Sequence, residues 1–507
     1  DEFQDTNRLQ FEWLKLLDSG DNAFFAVGDD DQSIYSFRGT RPENMRDFQS
    51  QLRAATIIRL EQNYRSTAKI LSAANKLIAR NKGRLGKTLS AVCGEGEPVQ
   101  LRVCATDLDE ASAIASGIML ATESGAENAD DIAVLYRTNA QSRVIEQKMM
   151  ESGIAYRIYG GTRFFDRMEV KHALAYMRLA VSMDTDALLR VINFPPRGIG
   201  KIAMTQLALT AQKEGWENAI FGGEHRGLRS FGALLAELRT AREEMPLGEL
   251  ARAAVEKSGL MAHYESRKAE LERAENLREF VNAAAQFQSS DDDPLMQFLA
   301  NAALESGDAD SPLAAGAAVS LMTVHAAKGL EFGAVFVAGL EEGLFPHANS
   351  LDNGNALEEE RRLMYVAITR ARRMLVLHYA RSRLQYGTRQ SNPYSRFLDE
   401  LECFRQETKL PQQQSQWFKP ASKTQIPQMP QRQTTNHPAN ETPLPANGIT
   451  PSATSGAFRP GSSVRHRRYG LGVVLGISGD GGEITIAFKL AGKKTFKTAL
   501  AKLQKVA

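Results

Sequence analysis

The chain opens on Asp1-Glu2-Phe3-Gln4-Asp5-Thr6-Asn7 and soon reads Gly28-Asp29-Asp30-Asp31-Gln32-Ser33-Ile34-Tyr35. An adjacent Asp-Glu pair at the carboxyl end of a parallel strand can divide two tasks. The aspartate holds Mg²⁺ directly or through water, and the glutamate orients and deprotonates an attacking water. Taken alone, such a pair is more often a solvated acidic turn. The second loop changes the weighing, because Gln32 follows an apolar run and can sense a terminal phosphate from the same sheet edge, where open α/β folds bind ligands. Asp29, Asp30 and Asp31 also read as plain solubilising charge, so Gln32 is the candidate of that loop.

Tyr35 and Phe37 sit two apart with Arg38 beside them, so an extended backbone turns both rings the same way. Bases stacked on such rings are worth ~1–3 kcal/mol each, although an aromatic pair is more often core. Arg65 precedes a helix start, where a cation gains nothing from the helix dipole, so an anion is the natural partner and a salt bridge the ordinary one. The stretch Glu358–Arg372 reads as a helix with a basic end, and most of its charges fit a solvated face. An arginine beside a γ-phosphate contributes ~10³–10⁵ in rate; Arg65 and Arg370 are the candidates. In Thr323-Val324-His325-Ala326-Ala327-Lys328-Gly329-Leu330-Glu331-Phe332, polar groups after a strand can touch a phosphate backbone, and Glu331 a ribose. Gly83-Arg84-Leu85-Gly86-Lys87-Thr88 ends like a phosphate loop. G-x-x-x-x-G-K-[ST] needs glycine where the chain has Asn81, and a helix rather than a strand precedes it, so it is set aside.

These residues need a scaffold of alternating helices and strands. An amphipathic stretch at Leu9–Leu17 precedes the apolar run Ala23–Val27 and a further strand at Thr56–Leu60. Ser66 or Thr67 then caps a helix whose face is Ile70, Leu71, Ala74, Leu77 and Ile78. Strands follow at Val99–Val103, Ile132–Tyr136, Val319–Val324 and Ala334–Ala338, while Phe164–Ala317 reads as helical. The expected fold is therefore α/β with a helical insertion. Residues 403–460 are rich in Gln, Pro, Thr, Ser and Asn and read as a disordered linker. Short strands parted by glycines in 461–507 suggest a small β-barrel, with nine Lys/Arg and two Asp/Glu, a local excess of +7.

At 507 residues, two to four domains are expected. A net charge of only +2 means that a polyanion would be held by local patches. Cys93, Cys104 and Cys403 are widely spaced without a C-x-x-C pair, which argues against a disulfide framework or zinc site and for a reducing compartment. No apolar run reaches the roughly 20 residues of a membrane helix.

Taken together, DEFQDTN, GDDDQSIYSFRG, LEQNYRS, TVHAAKGLEF and EEERRLMYVAITRAR, in that order, resemble the motifs of the UvrD/PcrA/Rep family of superfamily-one DNA helicases. The likeness extends over residues 1–402, and 461–507 resembles the Tudor-like (SH3-like) module of the UvrD and PcrA branch, which Rep lacks. It implies RecA-like parallel-sheet motor domains, an inserted all-helical domain, and 3′–5′ movement on single-stranded DNA with ATP and Mg²⁺. The implied boundaries are 1–57 for the end of a first motor domain, 58–160 with 318–402 for the second, and 161–317 for the insertion. By the same resemblance Asp1 and Glu2 form the metal and base pair, with Asp1 on Mg²⁺. Gln32, Arg65 and Arg370 address the γ-phosphate, Tyr64 stacks on adenine, and Glu331 contacts the ribose. Tyr35, Phe37, Arg38, Tyr136, Arg137, Asn139, Thr323 and His325 lie along single-stranded DNA, and Gly198-Ile199-Gly200 approaches duplex phosphate at a single–double strand junction. Phe37 stands where the family usually has Trp.

The family's phosphate loop and first inserted domain have no counterpart here, and no initiator Met is present. The expectation is a C-terminal portion of a longer protein, with a first motor domain that is incomplete and a chain that alone neither hydrolyses ATP nor unwinds DNA. The resemblance further implies a repair and replication role of the excision and mismatch repair type in the bacterial cytosol, with no membrane association. It also implies contact of 461–507 with RNA polymerase, with nonspecific nucleic-acid binding by the +7 excess as the equal alternative for that module, and repair proteins as further partners. Two other readings stay open: a DNA-binding or recruitment module without motor activity, and a helicase-nuclease subunit, which would usually append a nuclease domain.

Overall fold

The computed structural model describes residues 1–17, 24–51, 56–289, 293–306 and 316–401, together with five strands between 463 and 505. Asn7 starts α1 (Arg8–Leu16) with a reciprocal cap: its side chain accepts the Gln10 N–H, and the Gln10 side chain accepts its own. α2 (Glu43–Gln51) follows. The strands expected at Ala23–Val27 and Thr56–Leu60 are not formed over 24–27 and 56–60, and Phe25 and Ile58 are exposed. An apolar run becomes a strand only when a ladder partner lies beside it. Here none does among the described residues, although Phe3 donates its N–H to the Val27 carbonyl at 3.0 Å.

β1 (Gln62–Asn63) pairs in parallel with β2 (Ser90–Ala91) across α3 (Ala68–Ile78), which buries the expected face plus Ala73. Of the two expected caps, Thr67 takes the position. Thr67 is the N-cap without a side-chain bond, and the Ser66 hydroxyl donates instead to the Ala371 carbonyl at 2.6 Å.

The central sheet is built from β3 (Gln100–Thr106), α4 (Asp107–Glu123), β4 (Ile132–Tyr136), α5 (Ser142–Glu151) and β5 (Tyr156–Tyr159). Every described α or β element from there to residue 306 is helical: α6 (Met168–Val181), α7 (Thr185–Val191), α8 (Lys201–Phe221), α9 (Arg226–Glu244), α10 (Leu247–Lys257), α11 (Leu260–Glu265), α12 (Leu271–Gln286) and α13 (Pro294–Ser306). Strands return with β6 (Val319–Thr323), β7 (Phe332–Val337), α14 (Gly354–Thr369), β8 (Ala371–Gln385), β9 (Thr388–Gln390) and α15 (Arg396–Glu400). The order β3-β8-β7-β4-β6-β5 is parallel throughout, and β9 folds back antiparallel on β8.

Side chains alternate across this sheet as a period of two requires. On β4, Ala133 and Leu135 join a core with Ile70, Leu77, Met364 and Val366 of α3 and α14, while Ile132, Val134 and Tyr136 join one with Ile114, Ile118 and Ile145 of α4 and α5. Because β6 and β7 are parallel, the segment 324–331 must cross from the carboxyl edge of the sheet back to its amino edge.

The helices pack around Tyr176, Phe231, Tyr264, Leu277, Phe280 and Phe298. Among the described residues, several polar contacts join them to the sheet, those of Arg167 and of the β8–β9 turn included. Arg167 donates to the Asn139 carbonyl and to Asn276 Oδ1, both at 2.9 Å. The β8–β9 turn reaches Asn282, which accepts the Gly387 N–H at 2.7 Å. Contacts divide the chain into two compact units, Asp1–Gln416 and Trp417–Ala507.

The stretch read as a linker, 403–460, lies outside the described residues. In the second unit, β10 (Ser463–His466), β11 (Gly470–Ile477), β12 (Glu483–Phe488), β13 (Gly492–Lys497) and β14 (Leu503–Lys505) form an antiparallel sheet in the order β13-β12-β11-β10-β14. A small barrel is the expectation here; among the described residues the pairings form a five-stranded sheet with β13 and β14 at its edges and do not close it. No described helix is long and apolar enough to cross a membrane.

Candidate nucleotide and nucleic-acid site

Two edges of the central sheet carry the candidate residues. At the amino edge, Glu331 immediately precedes β7, Arg370 immediately precedes β8, and Arg65 lies between β1 and α3. The helix read through Arg372 ends at Thr369, with Arg370 as its C-cap, because the Arg370 carbonyl accepts the Phe332 N–H at 2.9 Å and draws the chain into β8. Arg65 Nε lies 2.5 Å from Glu331 Oε2 and Arg372 Nη1 3.4 Å from Glu331 Oε1, so Arg65 above all holds this carboxyl below its usual range.

Arg370 is 1% exposed. It donates to the Val366 carbonyl (3.1 Å), the Leu330 carbonyl (2.9 Å), Thr369 Oγ1 (3.2 Å) and Gln32 Oε1 (3.3 Å), all neutral oxygens. Burial, with Arg65 nearby, brings its pKa down to about 10. A buried cation without a carboxylate is costly and is satisfied by a bound anion.

Asp1 and Glu2 are exposed, and Glu2 adopts a left-handed φ of 54° that non-glycine residues rarely hold. Asp1 Oδ1 accepts the Glu2 N–H at 3.0 Å. Its open carboxylate is a hard oxygen donor, the type that suits Mg²⁺, which is usually bound by one or two carboxylates with phosphate and water. The residues present therefore fit that ion. Lys328, which sequence reasoning left without a role, joins the loops: its Nζ lies 2.5 Å from Asp5 Oδ2, 3.3 Å from Glu2 Oε2 and 2.9 Å from the Gln32 carbonyl. Its position inside the quoted TVHAAKGLEF stretch was the available signal. Asp29, Asp30 and Asp31 cluster closely enough to suggest a cation site, but Lys87, the Leu85 N–H and Arg84 already engage them. Tyr64 is 70% exposed, its hydroxyl donating to Gln62 Oε1 at 2.9 Å, so a ring face is free to stack.

At the carboxyl edge, Thr323 ends β6 and His325 follows. Tyr35 and Phe37 are not in extended backbone, because Ser36–Arg38 is a 3-10 turn. Their rings meet edge to face at 5.9 Å, Phe37 meets His325 at 5.7 Å, and Arg38 lies over both, 4.9 Å from Tyr35 and 5.5 Å from Phe37. Tyr35 is half-buried under Lys328, and its hydroxyl donates to the His325 carbonyl at 3.3 Å, so the exposed face of this group belongs to Phe37. Burial, then Arg137, pulls the His325 pKa down to about 4, which leaves the ring neutral near pH 7.

Three expected contacts are placed differently. Tyr136 is fully buried at the end of β4, since the strand's alternation points it to the α4/α5 core. Arg137 is engaged by Glu360, Nη2 to Oε1 at 2.6 Å, and the Asn139 side chain donates to Glu272. Gly198-Ile199-Gly200 belongs to neither edge. It leads into α8, with Ile199 buried and both glycines exposed, Gly198 at φ +73° and no atom near where either would carry a Cβ.

The UvrD-like helicase C-terminal domain matches residues 58–382, and the UvrD/REP helicase N-terminal domain matches residues 1–53. DNA helicase II of Salmonella typhimurium is 41% identical over an alignment covering the whole chain and 70% of that protein. The ATP-dependent DNA helicase PcrA of Bacillus subtilis is 36% identical with the same coverage. The ATP-dependent DNA helicase UvrD1 of Mycobacterium tuberculosis is 36% identical over 95% of this chain and 66% of its own length.

Proposed function

This chain belongs to the UvrD-like helicase family, and we propose from that premise that it is part of an ATP-driven 3′–5′ DNA helicase acting in DNA repair and replication. The observation that carries the reading is Arg370, a buried guanidinium beside Gln32 with only neutral acceptors. Its place at the amino edge, with Arg65, Glu331 and the exposed ring of Tyr64, suits a triphosphate whose terminal phosphate supplies the missing negative charge. Glu2 orients the attacking water, and Asp1 is the residue that would hold Mg²⁺. That ion, when bound, offsets phosphate charge.

Single-stranded DNA runs along the carboxyl edge past Phe37, Arg38, Thr323 and His325, and duplex phosphate approaches Gly198 and Gly200 at the junction. The supporting placement is that these two sets sit at the ends of the 324–331 crossover and on the helical block. No G-x-x-x-x-G-K-[ST] stretch occurs among the 507 residues, so the isolated chain is proposed to be inactive.

The test is single-strand-stimulated ATP hydrolysis by the protein from the complete reading frame. Glu2→Gln and Arg370→Ala are each expected to lower kcat by ~10³-fold or more, and the 507-residue chain alone to give no turnover. If the wild type shows no DNA-stimulated turnover, a DNA-binding module without motor activity becomes the better account. The 461–507 module, with its +7 excess, is proposed to hold RNA polymerase in the bacterial cytosol, alongside repair proteins. Deleting it should abolish co-purification of polymerase and spare ATPase; retained co-purification discards the contact.

A further inference from the structure

The Gly83–Thr88 stretch that scans like a phosphate loop grips the acidic loop. Arg84 Nε and Nη2 lie 2.7 and 2.6 Å from the two Asp31 carboxylate oxygens, and the Leu85 N–H donates to Asp30 Oδ2 at 2.7 Å. Lys87 Nζ sits 2.5 Å from Asp29 Oδ1. Asp31 is buried, so Arg84 supplies the counter-charge it needs.

Asp29 acts on both sides of itself. Its Oδ1 faces Lys87, and its Oδ2 accepts Gln32 Nε2 at 2.7 Å. An ionised carboxylate only accepts, so the Gln32 amide must turn its NH₂ toward Asp29. Its carbonyl oxygen is thereby aimed at Arg370 Nη2, 3.3 Å away, and one amide hydrogen is left over for a phosphate oxygen. A flipped amide would set NH₂ against a guanidinium, which only donates. The sequence Lys87–Asp29–Gln32–Arg370 thus sets the orientation of the candidate phosphate sensor.

We propose that Lys87 and Arg84 are positioning residues for ATP hydrolysis, clamping the Asp29–Asp31 loop so that Gln32 presents its oxygen to Arg370 and a hydrogen to the terminal phosphate. The clamp rests on the motor reading above. It concerns orientation at the reacting end of the nucleotide, so loss of the clamp acts on kcat and leaves binding of the base and ribose intact.

The experiment uses protein from the complete reading frame and follows DNA-stimulated ATP hydrolysis. Lys87→Gln is expected to lower kcat about tenfold with KM within about twofold, the size of one charge-assisted bond. Lys87→Arg should restore it. Asp29→Asn should lower kcat similarly, and adding Lys87→Gln to Asp29→Asn should change nothing further. The Asp31 N–H, donated to Asp29 Oδ1 at 3.0 Å, should exchange faster in Lys87→Gln. Unchanged kcat in Lys87→Gln, losses that multiply in the double variant, or no restoration by Lys87→Arg overturns the clamp alone. A wild type without DNA-stimulated turnover overturns the motor reading and the clamp with it.

Discussion

Arg370 and His378 show opposite ways of burying a basic group. Arg370 keeps its charge and collects neutral acceptors, whereas His378, fully buried on β8 beside Phe336, is held neutral, its pKa brought down to about 3 by burial. A base whose folded pKa lies below its unfolded value binds more protons when unfolded. It therefore lends stability above the unfolded pKa of about 6.5, lost as pH falls toward the folded value. Between pH 6.5 and 5, His378 should cost about 2 kcal/mol. Urea unfolding at pH 7 and pH 5 should show a shallower decline for His378→Leu than for wild type; equal declines would contradict the assignment. At this scale the sequence singled out Gln32, Arg65, Glu331 and Arg370 because they stand in motifs of fixed order, and the structure brings Arg65 to Glu331 and Arg370 to Gln32. It did not show that Tyr136 is buried, because the side of the sheet that residue faces depends on strand alternation against helices not visible locally. It left Lys328 unassigned because its partners Glu2, Asp5 and Gln32 come from distant segments.

Among the elements, β4, β6 and β7 were legible as continuous apolar runs, the signature of strands covered on both faces. The runs at 24–27 and 56–60 have the same composition and form no strand, since composition does not supply a neighbour. The β8–β9 hairpin was missed because Tyr386 enters its two-residue turn at φ 50° beside Gly387 at φ 77°, a position where Asn or Gly is the usual signal. Helix contacts also hinge on single hydrogens. A Cβ at Gly248 on α10 would lie 2.8 Å from Ala285 Cβ and 2.9 Å from its Cα on α12, so the helices must part. Gly248→Ala should destabilise by about 1–3 kcal/mol despite better helix propensity. Gly232→Ala on α9 meets Phe221 at 3.4 Å, ordinary contact, and should stabilise by about 0.5–1 kcal/mol. Urea midpoints moving the same way for both would refute the packing argument.

Over the whole molecule, the α/β class and the change to helices after β5 follow from periodicity, while the joints between sheet and helices do not. Arg167, Asn276 and Asn282 are polar residues whose partners lie in other elements, and polar joints leave no hydrophobic pattern to read. The crossover 324–331 has its own consequence. Its coil is pinned by main-chain bonds, Ala327 to Thr323 at 3.2 Å and Leu330 to Ala327 at 3.0 Å, and its far end is tied to Arg370. Lengthening it would break those bonds, so the coil between the two edges holds a fixed span. The crossover is built as a tie rod, with its length set by its own main chain.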